Sequence, residues 1–442
     1  MKPRRMLVAG AAALAALATA LPVHASPAVP AAVLAAAPTQ PPSLARFALK
    51  GGQDNIANGT LAALTQAVAQ ANGGTGEGEF TTIIDNAPKV QDTDCGGEAE
   101  VPADATVYCF TQADFEHERW TPQGISGIAD AAGTEQWGGR KALLVSWYDD
   151  AAKDTGQGPT HGVRVSVFNT ATGKYDHVLL VEPVKEGGEQ AYKTVPIHAG
   201  GIVWYGDHLY LADTRRGVRV FNLKHIVDLG TRSVQQPSKF GLMDDGRYYG
   251  YGHRYVIPQA SSWFHETGAL ANGAQYSCVG DQGPPKTSYL AVDRTQDPDV
   301  LVSGEYCRKP QADELPHPDQ STNGRMATWP LDETWAEPFA DTGGVIRANH
   351  AAWLRLARVQ GVAGSYGAWF FSQSNGTSNP GKMFRRAWVD GVTWTNLTPA
   401  NTPLGIGPEA LHCWGGQGRI WTVSEHVLMR AVYGVPEPMC KK

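Results

Sequence analysis

His198 stands in the phrase Pro196-Ile-His-Ala-Gly-Gly, where two glycines permit close backbone approach beside an imidazole suited to moving protons near neutral pH. A second concentration of reactive side chains is Tyr248-Tyr-Gly-Tyr-Gly-His-Arg-Tyr255, which runs on into Val-Ile-Pro-Gln259. Alternation along an extended strand sends Tyr251, His253 and Tyr255 to one face and Arg254 to the other. A third group, Ala212-Asp-Thr-Arg-Arg-Gly-Val-Arg219, reads as a hairpin whose Arg216 offers a planar fork to an anion. Together these residues suit proton transfer beside a bound negative charge.

Paired carboxylates would support different chemistry, the cleavage of a glycosidic bond. Candidates are Asp149, Asp213, Glu305, Glu409 and Glu425, and no two of them are linked by spacing. Other chemistries find no motif. Gly-x-Ser-x-Gly is absent, as are a dinucleotide fingerprint and a phosphate-binding loop. No Cys-x-x-Cys or zinc-finger His pair occurs, so no metal site is assigned. No cofactor is required by this reading, although scattered Asp and Asn at turns leave structural calcium open.

The elements that must position these groups repeat. Thr121-Pro-Gln-Gly, Pro196-Ile-His-Ala-Gly-Gly, Arg358-Val-Gln-Gly and Gly407-Pro-Glu each precede a short apolar strand. Units of this kind cannot bury a core alone and stack around an axis, where Gln123, His198, Gln360 and Glu409 would converge. The clearest unit has strands at 125–129, 142–147, 163–168 and 177–181, which is the pattern of a propeller blade. An all-β propeller is therefore expected over residues 104–442. Its length suggests seven blades, with extra ones at 249–263 and 324–354; five or six blades, the five large and with insertions, or a β-sandwich pair are the alternatives. The last unit lacks a fourth strand, which residues 107–111 would supply, closing the ring. Trp120, Trp147, Trp204, Trp263 and Trp414 fall at strand ends, where exposed rings would stack on sugars.

Residues 1–25 read as a secretory signal: Lys and Arg, an apolar run, then Val23-His-Ala25. Residues 26–103 form an Ala/Pro-rich linker and an N-terminal segment with one short helix after Asn58. Six cysteines in an exported chain favour disulfides, and the nearest-neighbour choice is 95–109, 278–307 and 413–440 among 15 connectivities. The apolar run is short for a membrane anchor and none follows it. With a formal net charge of −6, the chain lacks the basic surface that nucleic acid requires. A secreted monomer is expected.

The phrases Arg119-Trp-Thr-Pro-Gln-Gly, Leu144-Val-Ser-Trp-Tyr-Asp, His198-Ala-Gly-Gly-Ile-Val-Trp-Tyr-Gly, Ala212-Asp-Thr, Tyr255-Val-Ile-Pro-Gln, Val292-Asp-Arg and Gly304-Glu-Tyr-Cys resemble a group of exported fungal and bacterial propeller proteins. That group is taken to include the L-rhamnose-α-1,4-D-glucuronate lyases, and the resemblance spans residues 119–426. It implies β-elimination at a glucuronate of an acidic, plant-type polysaccharide. His198 would act as base and acid, with help from Tyr251 or Tyr255, and Arg254 or Arg216 would neutralise the uronate. Gln123, Gln259, Gln360, Glu409 and Trp120 would line the substrate site. The alternatives are a propeller glycoside hydrolase working through two carboxylates, and a glycan- or protein-binding propeller without catalysis.

Overall fold

The computed structural model describes residues 39–93, 95, 97–150, 160–271, 278, 280–308, 324–334, 337–388 and 394–441. The expected signal and most of the Ala/Pro-rich tail lie outside them. The described chain is mostly β. Its strands form five four-stranded antiparallel units, in chain order. The first comprises Trp120–Gly127, Ala142–Asp149, Val163–Asn169 and Lys174–Glu186. The second comprises Ile202–Tyr205, His208–Asp213, Gly217–Asn222 and Tyr255–His265. The third comprises Tyr289–Asp293, Val300–Gly304, Arg325–Asp332 and His350–Trp353. The fourth comprises Val359–Ser365, Ala368–Gln373, Pro380–Trp388 and Trp394–Ile406. In the fifth, His412–Trp414, Arg419–Val423 and Ala431–Pro436 take their fourth strand from Thr106–Cys109, with Ala431 opposite Cys109.

The expectation of seven units is corrected to five such units among the described residues. Tyr255–His265 seeds no unit of its own, because it pairs as the outer strand of the second. Arg325–Asp332 and His350–Trp353 are the third and fourth strands of the third. Length misleads here because the extra residues sit inside units. One such insertion, between the last two strands of the second unit, carries the hairpin Phe240–Leu242 and Tyr248–Gly250.

The first strands of successive units neighbour one another in cyclic order, and that of the fifth returns to the first. Glycines in the repeated phrase explain how. A Cβ on Gly124 would lie 2.7 Å from the Ile202 nitrogen, and one on Gly361 would lie 2.5 Å from the Ala410 Cα. A Cβ on Gly201 would collide with the Leu290 nitrogen. Backbone meets backbone at these points, which only a residue without a side chain allows.

The N-terminal segment covers the outside. In the helix Thr60–Asn72, Leu64 and Val68 join Phe80, Ile83 and Ile84 in the main apolar cluster. Leu49–Gly51 pairs with the outer strand of the second unit, and Lys89–Val90 with that of the first. These additions blunt exposed sheet edges. The outer strands of the first two units also join directly, in parallel, with Val256 opposite Leu179. All three disulfides form as 95–109, 278–307 and 413–440, a pattern that fits folding in an oxidising compartment. No helix among the described residues is long and apolar enough to cross a membrane.

Candidate active site at the axial mouth

Each first strand starts at one end of the ring, and each second strand ends there. That end collects two sets of residues: those of the repeated phrase and those closing the second strands. Four second strands finish in or just before a carboxylate: Asp149, Asp213, Glu305 and Glu425. Three are neutralised by arginine. Arg119 grips Asp149 at 2.6 and 2.7 Å, Arg219 reaches Asp213 at 3.0 Å, and Arg325 holds Glu305 at 2.7 and 3.0 Å. These pairs are structural.

Glu425 differs. Its Oε2 accepts from the Gln123 amide at 2.8 Å, and its carboxyl lies against that of Glu409. Glu409 is 1% exposed, and Gln360 donates to its Oε1 at 2.8 Å. Burial first, and then the adjacent Glu425, hold the Glu409 proton well above the ordinary carboxyl range. The result is a buried acid that holds its proton more tightly than an ordinary carboxyl, behind a half-buried carboxyl at the mouth. Gln123 on the first unit, Gln360 on the fourth and Glu409 on the fifth thus do converge.

His198 reaches the same mouth from the second unit. It is exposed, and its ring lies 4.3 Å from that of Tyr148. Tyr148 donates to Asp150 at 3.3 Å and also feels the charges of Glu425 and Glu409. Burial, then these carboxylates, push its phenol above the usual range. From the third unit comes Tyr306, raised by burial and by Glu409, with Arg358 and Arg308 in electrostatic reach.

The backbone around the mouth is strained. Ala199 has φ 54° and Arg358 has φ 57°, in the left-handed region that residues with a Cβ avoid. Gly200 and Gly201 separate Ala199 from the first strand of the second unit, and Arg358 directly precedes that of the fourth. Ser146 secures the former: its hydroxyl donates to the Ala199 carbonyl at 2.9 Å and accepts from the Gly124 nitrogen at 3.0 Å.

Other residues expected at the site lie elsewhere. Arg254 and Tyr255 belong to the outer edge of the second unit, three strand spacings (about 14 Å) from its first strand. Arg254 is engaged by Asp228 at 2.7 Å and lies over the buried Tyr255 ring at 4.9 Å. Tyr251, with φ 53°, is stacked between Phe240 (4.6 Å) and His161 (3.9 Å). Gln259 accepts from Arg219 at 2.7 Å inside the second unit. Arg216 is exposed on its hairpin, 5.8 Å from the Phe264 ring. Trp120 is no sugar platform, because it is 4% exposed and covered by Arg164 at 4.7 Å. Trp147, Trp204, Trp263 and Trp414 are likewise buried.

Sequence reasoning passed over Tyr148, Asp150, Tyr306 and Arg358. The signal was present: Trp-Tyr-Asp-Asp, Gly-Glu-Tyr-Cys and Ser-Glu-His recur just where a second strand ends. Among the described residues one cluster has metal-type side chains, Cys278, Glu305 and Cys307, but its thiols are consumed by a disulfide.

No family model matches the chain, and no curated protein matches it. Among solved structures it is similar to a GH43_1 enzyme from Xanthomonas citri complexed with xylose. That match has 11% identity over 85% of this chain and 92% of the other, with a TM-score of 0.30. It is also similar to the pyranose dehydrogenase PQQ domain from Coprinopsis cinerea, with 8% identity over 71% and 92% and a TM-score of 0.28. Likeness this distant assigns no activity.

Proposed function

We propose that the chain is an exported five-bladed β-propeller that hydrolyses glycosidic bonds at the axial mouth, with Glu425 as general acid. The observation carrying this reading is the Glu409–Glu425 pair: among the described residues, Glu425 is the one of the four second-strand carboxylates without an arginine clamp, and a buried acid backs it. The two carboxyls touch, so they cannot flank a glycosidic bond, which needs its pair roughly 5–10 Å apart. We assign Asp150 as the second carboxylate, because it and Glu425 both act on Tyr148.

In this scheme Glu425 gives its proton to the departing sugar oxygen as the C–O bond breaks. Asp150 takes a proton from the attacking water, whose oxygen bonds to the anomeric carbon. Glu409 shares its proton with Glu425; after the products leave, Asp150 releases the proton it took from water to solvent, and solvent returns one to the Glu425–Glu409 pair. His198, Tyr148, Gln123 and Gln360 bind sugar hydroxyls.

The test is turnover of a panel of neutral and acidic oligosaccharides by wild type, Glu425→Gln, Asp150→Asn and His198→Ala. The two carboxylate variants should lose roughly 10²–10⁴-fold in kcat, with His198→Ala affected less. Full activity in Glu425→Gln would eliminate the scheme.

A second reading keeps elimination at a uronate, with His198 taking the C5 proton, Tyr148 protonating the leaving oxygen and Arg358 holding the carboxylate. The contact between His198 and Tyr148 favours it. It requires an unsaturated, ultraviolet-absorbing product and loss of activity in His198→Ala above all.

A further inference from the structure

We infer that the Cys278–Cys307 disulfide is a positioning element for one wall of the axial mouth rather than a staple for the fold. This rests on the mouth being the functional site, as proposed above. The other two disulfides fasten strands of the fifth unit: Cys109 sits in its fourth strand and Cys413 in its first. Cys278–Cys307 belongs to the third. It joins the approach to the third unit with the connection between that unit's second and third strands.

Both cysteines are buried, and several hydrogen bonds beside them lead to the mouth. The Cys307 carbonyl accepts from the nitrogen of Arg358 at 2.8 Å, the strained residue two before Gln360. The Tyr306 nitrogen donates to Ser288 Oγ at 2.9 Å, and its carbonyl accepts from the buried ammonium of Lys286 at 2.5 Å. The Ser288 carbonyl, in turn, occupies the space a Cβ on Gly200 would need, two residues after His198. Opening the disulfide frees Cys307, and with it the anchors of Tyr306 and of the left-handed turn at Arg358.

Cys413–Cys440 provides an internal control, because the two bridges enclose nearly equal loops, 27 and 29 residues in separation. Chain-entropy arguments then give them nearly equal effects on stability. The experiment compares Cys278→Ala/Cys307→Ala with Cys413→Ala/Cys440→Ala in the full chain, below both melting temperatures. Two readouts are taken: amide hydrogen exchange at Tyr306 and Arg358, and KM and kcat on whichever oligosaccharide the wild type turns over best.

Both variants should lose similar thermal stability. Only the first should exchange faster at Tyr306 and Arg358 and lose roughly 10-fold or more in kcat/KM, since small displacements at a site are costly. Ser288→Ala releases Tyr306 with the disulfide intact and should shift both readouts in the same direction; it also serves if the double variant fails to fold. Unchanged exchange at both amides in the first variant and in Ser288→Ala would overturn the inference, as would equal changes in the control. Exchange needs no substrate, so a wild type without hydrolytic activity would defeat the function proposed above and leave this question decidable.

Discussion

A carboxyl group 1% exposed with another carboxyl against it cannot be ionised cheaply, and the Glu409 proton is held more tightly than an ordinary carboxyl's for that reason. The folded chain therefore binds more protons at this position than the unfolded chain. The stabilisation is complete below the unfolded value of 4.5 and is lost as pH rises through the raised folded value. Melting temperatures measured from about pH 5 to about pH 9 should fall with pH in the wild type and fall less in Glu409→Gln. Parallel curves would mean that Glu409 keeps no excess proton. At the same scale, Glu425→Gln should retain the wild-type melting temperature while losing kcat, because Gln123 can still bond to an amide. Residue identity alone revealed Gln123, His198, Gln360 and Glu409, through their shared phrase. Arg254 and Tyr255 were drawn in by local density of reactive types, which says nothing about distance from an axis.

Between elements, two features decide whether the units close up. Gly201 lies where a Cβ would strike the backbone of Leu290 and Tyr289, atoms that cannot rotate aside. Gly201→Ala should lower stability by about 1–3 kcal/mol, as overpacking does. Gly51→Ala, which would meet nothing within 4 Å, should be close to neutral in the same thermal melts. Equal effects would remove the close-approach explanation for the repeated phrase. Asp114 is the second feature. From the short helix Gln112–Phe115 it accepts from Arg164 at 2.8 Å and Lys89 at 3.1 Å, and His177 lies 3.0 Å away. Asp114→Ala would strand a buried guanidinium and should cost about 3–5 kcal/mol by chemical denaturation. A loss under 1 kcal/mol would show that the network relaxes. Strands of the first two units were legible from alternation and turn chemistry. The outer strand Tyr255–His265 was not read as such, because an insertion separates it from its partners and pairing across such a gap leaves no local mark.

For the molecule as a whole, repetition was the legible property and number was not. Dividing length by a typical repeat favours seven units over the alternative of five, because this chain places an extra hairpin and long outer strands within its repeats. The disulfide pairing followed from proximity in sequence, since each bridge closes a local loop. The ring gives the site its character: five units deliver side chains to one mouth, and each contributes a polar group from the start of a first strand or the end of a second. The most direct check is a mass balance on oligosaccharides incubated with the wild-type chain and with Glu425→Gln. The expected result is wild-type products whose masses sum to the substrate plus one water, and intact substrate with the variant. Products summing to the substrate alone, or water added equally well by Glu425→Gln, would contradict hydrolysis by the axial carboxyls.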